Sequence, residues 1–554
     1  MGPIPDNKDA IALESLLNKR VQVENQLATV RYVGPVPPTK GEWIGLEWDN
    51  ISRGKHDGFH EGVRYFTCSV PNSGSFIRYS SKINTGRSFV AAVIERYIDV
   101  EENATKYQRN DETSDEQKDL DVLHWAGTSL EVEALGWDKI RQKQKQLDRL
   151  TEVGLSFEQV SSAGKPGEIK KTCPNIIDLN LSKNLLSDWE TVANICGQLE
   201  KLEVLRLNYN RFQVLETSPS FPNAFANLKS LSLNYTKVSW KQIELLEPNF
   251  PSLENLQLGF NNIKLSEDIN ENDKETLKNA SKIKGFTKLK IINLESNLIS
   301  SFDEIARFSE LSSLEILFVN NNAIDQIYYP SENGDAFPKL RYLNISENKI
   351  DDWKSVDELN KFPSLHELRI KKNPFIKDTN KEKMEEAHIS IIGRIKGLTT
   401  LNGSITSLGD RINAERFYLG LCVKDMKPLE EVEKNHPRFK ELCEIHGTPV
   451  ADEFSQKASS SVLKDRLLEI TISHRNRLEE EPIKKLSKKL LGTMEIRNLR
   501  NLLQKLFKVP SSQQKLYVII NFQNEQSKLE LDDDLRQLSY YDISSGDEII
   551  VLSN

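Results

Sequence analysis

Apolar residues recur through the middle of this chain with a long, even period. The pattern Leu-x-x-Leu-x-Leu-x-x-Asn begins at Ile176/Leu179/Leu181/Asn184 and Leu202/Leu205/Leu207/Asn210. It continues at Leu228/Leu231/Leu233/Thr236, Leu253/Leu256/Leu258/Asn261 and Leu289/Ile292/Leu294/Asn297. It closes with Leu314/Leu317/Val319/Asn322, Leu340/Leu343/Ile345/Asn348 and Leu365/Leu368/Ile370/Asn373. Steps between the Asn (or Thr) positions are 26, 26, 25, 36, 25, 26 and 25 residues. The long step holds a polar insertion, Ser266-Glu267-Asp268 to Glu275-Thr276, expected to bulge from one face. Such a period predicts stacked units, each giving one short strand whose leucines are buried only by its neighbours. Each Asn falls where the chain leaves its strand, placed to satisfy backbone groups with its amide. Leu150/Val153/Leu155 reads as an irregular first unit. Ile391-Ile392 and Leu398-Thr399-Thr400-Leu401-Asn402-Gly403 read as the closing cap.

These units resemble leucine-rich repeats, which implies an α/β solenoid whose leucines are scaffold. Function then falls on the strand positions between them, which alternate to the concave side. One row reads Asn180, Arg206, Ser232, Gln257, Asn293, Phe318, Asn344 and Arg369; the other reads Val204, Ser230, Asn255, Ile291, Ile316, Tyr342 and Glu367. Arg206 and Arg369 lie toward the polar ends. Ile291, Ile316, Phe318 and Tyr342 fall on adjacent units, and one apolar patch on a concave face is a partner surface.

Two other patterns flank the repeats. Between Trp43 and Arg78, aromatic and β-branched residues alternate with glycines, predicting a small twisted sheet or barrel. It carries Arg53-Gly54-Lys55-His56-Asp57-Gly58, whose glycines predict a tight loop presenting Lys55 and His56 beside Trp43, Trp48 and Phe66. Donors beside a shallow aromatic groove suit a short peptide that ends in a carboxylate. Ile11, Leu13, Leu16 and Leu17 precede this region and are expected to cap it. The stretch Leu468–Ile472 alternates as a strand, Ile496–Phe507 has helical spacing, and Leu516–Ile520 and Glu548–Leu552 read as strands.

The first region resembles the CAP-Gly domain, whose usual loop is Gly-Lys-Asn-Asp-Gly. Here His56 replaces the Asn, exchanging an amide for a ring whose charge depends on pH. The resemblance implies binding of acidic C-terminal tails ending in an aromatic residue, as on α-tubulin. Trp43, Trp48, Gly54, Lys55, His56, Asp57, Gly58, Phe66, Phe76 and Arg78 are then the peptide-binding set. The last region resembles a ubiquitin-like β-grasp domain, with Leu531-Asp532-Asp533-Asp534-Leu535 and Ser544-Ser545-Gly546-Asp547-Glu548-Ile549 as its closing turns. The chain ends Leu552-Ser553-Asn554, without Gly-Gly, so a docking module is expected and not a conjugated tag.

Charge narrows the partners. With 74 basic and 82 acidic residues the formal charge is −8, which argues against a general nucleic-acid binder. Arg53, Lys55, Arg64 and Arg78 form a local basic exception suited to an acidic peptide. Cys68, Cys173, Cys196, Cys422 and Cys443 are scattered and never spaced Cys-x-x-Cys, implying free thiols in a reducing compartment. No apolar run spans a bilayer and no N-terminal apolar segment follows a basic start, so a cytoplasmic, cytoskeleton-associated address without membrane contact is expected. Phosphate-binding, dinucleotide and zinc-protease motifs are absent, so neither an enzyme nor a cofactor is expected. His56, His60 and Cys68 lack a fourth ligand at zinc spacing, so no metal is expected.

The length of 554 residues predicts three to four domains. They read as a CAP-Gly domain at 18–90, a linker and lead-in at 91–146, the repeats with their cap at 147–408, a charged connector at 409–462 and the ubiquitin-like domain at 463–554. This order resembles that of the tubulin-folding cofactor E family. The resemblance implies a chaperone that holds α-tubulin and its tail. It would work with tubulin-folding cofactors B, C and D in assembling and dissociating the tubulin heterodimer. Two other readings stay open. One is a microtubule-associated scaffold, which usually dimerises through heptads not seen here. The other is an adaptor to ubiquitin or proteasome receptors through the last domain.

Overall fold

The computed structural model describes residues 13–98, 146–266, 282–331, 333–376, 380–423, 428–448 and 467–553, the last span without 479, 493, 523, 524, 532, 535, 542, 544 and 545. Ile11, the polar stretch 101–121, the insertion beyond Ser266 and parts of both closing turns lie outside these residues. The chain forms two compact units, Met1–Gln326 with Pro330–Lys349, and Ile327–Tyr329 with Ile350–Asn554.

The first unit opens with β1 (Arg20–Val23), β2 (Gln26–Pro35), β3 (Glu42–Trp48), the hairpin β4 (Phe59–His60) and β5 (Val63–Arg64), β6 (Gly74–Ile77) and β7 (Ile83–Asn84). An antiparallel sheet runs β6-β3-β2-β1-β7. Alternation along β1–β3 puts Val21, Val23, Ala28, Val30, Ile44, Leu46 and Trp48 into one core with Ile83. Leu13 joins this core and Leu16 packs on it, while Leu17 stays exposed.

A short strand, β8 (Arg87–Ser88), leads into helix α1 (Phe89–Tyr97), whose N-cap Ser88 hydroxyl accepts from the Ala91 N–H. These residues include a stretch read from the sequence as linker. They are ordered because α1 buries Phe89, Val90, Ala92, Val93 and Tyr97.

The repeats follow, with β9 (Glu152–Gly154), β10 (Val160–Ser162), α2 (Glu168–Thr172), β11 (Asp178–Asn180), β12 (Val204–Arg206), β13 (Ser230–Ser232), β14 (Asn255–Gln257), β15 (Ile291–Asn293), β16 (Ile316–Phe318) and β17 (Tyr342–Asn344). Strands β9 and β11 to β17 pair in chain order, all parallel and without slip. In β11 to β17 the middle residue is buried and the outer two half-buried. The template Asn residues act as the sequence predicts. Asn210 Oδ1 accepts from the Asn184 N–H at 3.0 Å, and its Nδ2 donates to the Leu181 and Leu207 carbonyls, each at 2.9 Å. Thr236 donates to the Leu233 carbonyl at 2.7 Å, covering part of that role. The residue before each template position, from Lys183 to Lys372, is left-handed, with φ between 54° and 60°.

In the second unit β18 (Glu367–Arg369) pairs with β19 (Thr400–Leu401) in parallel, and β20 (Ser404–Ile405) closes it antiparallel. The stretch read as a charged connector holds helices Leu408–Val423, Leu429–Asn435 and Phe439–His446 around Tyr418, Leu419, Cys422, Phe439 and Leu442. Strands β21 (Leu467–Arg475), β22 (Lys484–Leu491), β23 (Gln514–Phe522), β24 (Glu525–Glu530) and β25 (Glu548–Ser553) form a sheet ordered β22-β21-β25-β23-β24. Parallel pairing of β21 with β25 and packing of helix Ile496–Phe507 through Ile496, Leu499 and Leu503 make it a β-grasp sheet.

Candidate functional site: an aromatic groove and the repeat face

The loop before β4 is pinned to β6. Lys55 and His56 donate their N–H groups to the Gly74 carbonyl at 2.7 and 3.1 Å, and the Gly74 N–H returns to the His56 carbonyl at 2.7 Å. Both loop glycines are required, for different reasons. Gly58 has φ +93°, and a Cβ there would lie 2.1 Å from the Phe66 carbonyl oxygen. Gly54 is extended, at φ −71°, contrary to the expected turn conformation; its constraint is the Asn72 carbonyl oxygen, 2.0 Å from a would-be Cβ.

The His56 ring accepts from the Gly58 N–H through Nδ1 at 3.0 Å. In the neutral ring this leaves the hydrogen on Nε2. Burial holds its pKa below the usual histidine value, with His60 and Lys55 adding to the effect and Asp57 opposing it. The ring stands 5.0 Å from Phe76, 6.0 Å from Phe66 and 6.4 Å from His60, centroid to centroid. Phe76 is the hub, with Tyr65 at 5.4 Å, Phe66 at 5.5 Å, Tyr32 at 6.1 Å and Trp43 at 6.4 Å, all edge-on. Lys55 is exposed and has no acidic partner among the described residues.

Several expected groove residues occupy other places. Trp48 is 4% exposed, donates from Nε1 to the Ser75 hydroxyl at 2.6 Å and belongs to the core. Phe66, 7% exposed, forms the floor of the cluster. Arg78 lies over Trp43 at 4.1 Å and donates to the Glu42 and Lys40 carbonyls, so it straps a loop. Asp57 is held by Arg64 at 2.9 Å. Tyr32, Tyr65 and His60 belong to the cluster and were missed. Register was the available signal, since Tyr32 pairs across Gly45, which in turn pairs with Phe76.

On the repeats, register places Ile291 beside Ile316 and Ile316 beside Tyr342, with Phe318 between Asn293 and Asn344 in the next row. The Phe318 and Tyr342 rings are 5.1 Å apart, so the four expected residues form one half-buried apolar patch. Arg206 is engaged in a two-pronged pair with Asp178, one arm at 2.9 Å. Arg369 is exposed at the end of β18. A second feature escaped the sequence reading. Tyr209, Tyr235 and Phe260 stack face to face at 4.5 and 4.4 Å, and the Lys183 ammonium sits 4.8 Å above Tyr209. Burial, then the neighbouring Tyr209, pushes the Tyr235 hydroxyl up to about 12. Its signal was an aromatic residue immediately before the ladder position in three successive units.

Among the described residues no group of three or more His, Cys, Asp or Glu side chains could hold a metal, and no helix is long and apolar enough to cross a membrane. A glycine loop beside an aromatic cluster, ahead of a parallel repeat sheet and a β-grasp sheet, defines a multidomain protein with a CAP-Gly module, and the CAP-Gly domain family model matches residues 17–82. The chain is 34% identical over 562 residues to tubulin-specific chaperone E of Bos taurus, covering 98% of this chain and 99% of that protein. It is 31% identical to tubulin-folding cofactor E of Arabidopsis thaliana, covering 97% of each. A solved ubiquitin-like domain of mouse tubulin-specific chaperone E is 29% identical, with a TM-score of 0.15, over 17% of this chain and 95% of that one. This chain therefore belongs to the tubulin-specific chaperone E family.

Proposed function

We propose that this chain is a non-enzymatic tubulin-folding cofactor that grips α-tubulin at two places. The observation that carries the reading is the aromatic cluster around Phe76 with the His56 ring against it, next in the chain to the exposed Lys55, which has no acidic partner among the described residues. A carboxylate-terminated tail finds donors there, and an aromatic end residue finds ring edges. The patch of Ile291, Ile316, Phe318 and Tyr342 then holds the folded body of the client. Two contacts on one chain raise effective concentration and add on the order of 10²–10⁴ in avidity when geometry allows both.

The CAP-Gly module at 18–90, the curved repeat solenoid at 147–408 and the ubiquitin-like module at 463–554 form a cytoplasmic, cytoskeleton-associated machine. It acts with tubulin-folding cofactors B, C and D in assembling and dissociating the heterodimer. Size-exclusion chromatography with native tubulin tests the proposal. A complex containing α-tubulin, or a split heterodimer, is expected; tubulin eluting unchanged would overturn it, as would co-sedimentation with polymer alone.

A further inference from the structure

A stack of repeats needs its end covered, because the first unit otherwise exposes its core and an unpaired sheet edge. Strand β9 is the terminal strand of the repeat sheet. Next to it stand residues that belong in sequence to the preceding module. Strand β8 pairs in parallel with β10, and the Arg87 N–H donates to the Gln159 carbonyl at 2.9 Å. Asn84 and Arg87 both donate to Gln159 Oε1, at 2.8 and 3.0 Å. The Tyr97 hydroxyl accepts the Gly154 N–H of β9 at 2.9 Å. Helix α1 packs against β10 and α2, and Phe89, Ala92 and Val93 are completely buried.

Farther along the repeats, polar contacts tie the CAP-Gly sheet to the same body. Lys19 pairs with Asp188 at 3.0 Å, and Lys237 donates to the Ser69 hydroxyl at 2.9 Å. Asp49, already held by both arms of Arg20, feels the charges of Arg211 and Lys237 from the repeats.

We propose that residues 84–97 are the amino-terminal cap of the repeat array, joining the CAP-Gly module to it as one rigid body. The cap covers the end of the array with apolar surface, pairs β8 with β10 beside it and ties the β9 edge through the Tyr97 hydroxyl, while the Lys19–Asp188 ion pair and the Lys237–Ser69 hydrogen bond set the module's tilt. The consequence for client capture rests on the two-contact reading above: groove and repeat face are pre-organised relative to one another. The test below needs no client, so its failure is distinct from failure of that reading.

A protease recognition sequence inserted after residue 120 of the full chain is cleaved, and the cut is verified on a denaturing gel. The two pieces are expected to co-elute on a native column at physiological salt; separate elution would overturn the proposal. A milder variant, Tyr97→Phe, keeps the packing and removes only the acceptor. Hydrogen exchange at the Gly154 amide is expected to quicken about tenfold, in line with the loss of one hydrogen bond, with amides of β1–β3 unchanged. Unchanged exchange at Gly154 would count against the cap.

Discussion

His56 Nδ1 accepts the Gly58 N–H at 3.0 Å, two residues further along the chain. An Asn side chain in a turn makes this same bond to its own backbone. The ring therefore reproduces the loop-bracing half of the amide it replaces in the usual CAP-Gly loop. It also brings a proton equilibrium that an amide lacks.

That equilibrium has a sign. The folded His56 pKa lies below the unfolded value of 6.5, first through burial and then through His60. The unfolded chain thus binds more protons, and stability rises with pH across this window. The loop's contribution is full above pH 6.5 and is lost as pH falls through the depressed folded pKa. His56→Asn should flatten thermal stability against pH over this range; an unchanged slope in the variant would assign it to another group.

Gly58→Ala meets both a left-handed φ and the Phe66 carbonyl, and should cost roughly 2–5 kcal/mol, with loss of the peptide binding proposed for this loop. Gly62→Ala is the matched control. Its φ is +82° but a Cβ there meets nothing within 4 Å, so about 1–2 kcal/mol is expected. Chemical denaturation of the two variants side by side gives the comparison.

Asn210→Ala removes a buried amide that serves the Asn184 N–H and the Leu181 and Leu207 carbonyls. Leaving these groups unsatisfied should cost roughly 2–4 kcal/mol. The loss should appear as a lower denaturation midpoint, with the largest rise in hydrogen exchange at the units on either side.

Phe318→Asp combined with Tyr342→Ser changes half-buried side chains on strands whose pairing is made by backbone groups. The fold should survive with a stability loss on the order of 1–2 kcal/mol, while capture of α-tubulin falls below detection. Intact capture by a folded double variant would remove this patch from the client surface.

Much of this architecture was legible in the chain. The even 25–26 residue steps determined which residues become strands, which leucines are buried and where the Asn ladder runs, because stacking makes each unit repeat its neighbour's environment. Loop glycines and alternating apolar residues likewise announced a small sheet carrying a tight loop. Sequence spacing could not sort Trp48 and Phe66 from Tyr32, Tyr65 and His60. An aromatic residue on a short strand faces core or groove according to register, and one residue of slip exchanges the two. Nor did it separate the engaged Arg206 and Arg78 from Lys55, which has no acidic partner among the described residues, since pairing depends on neighbours distant in the chain. Local pattern thus determined the repeats, the loop and three of the five β-grasp strands, β21, β23 and β25, whereas β22 and β24 carry no such alternation and were not read as strands. Only tertiary structure decided that α1 closes the end of the repeat array, because burial of its apolar face depends on a surface that the chain supplies more than fifty residues later.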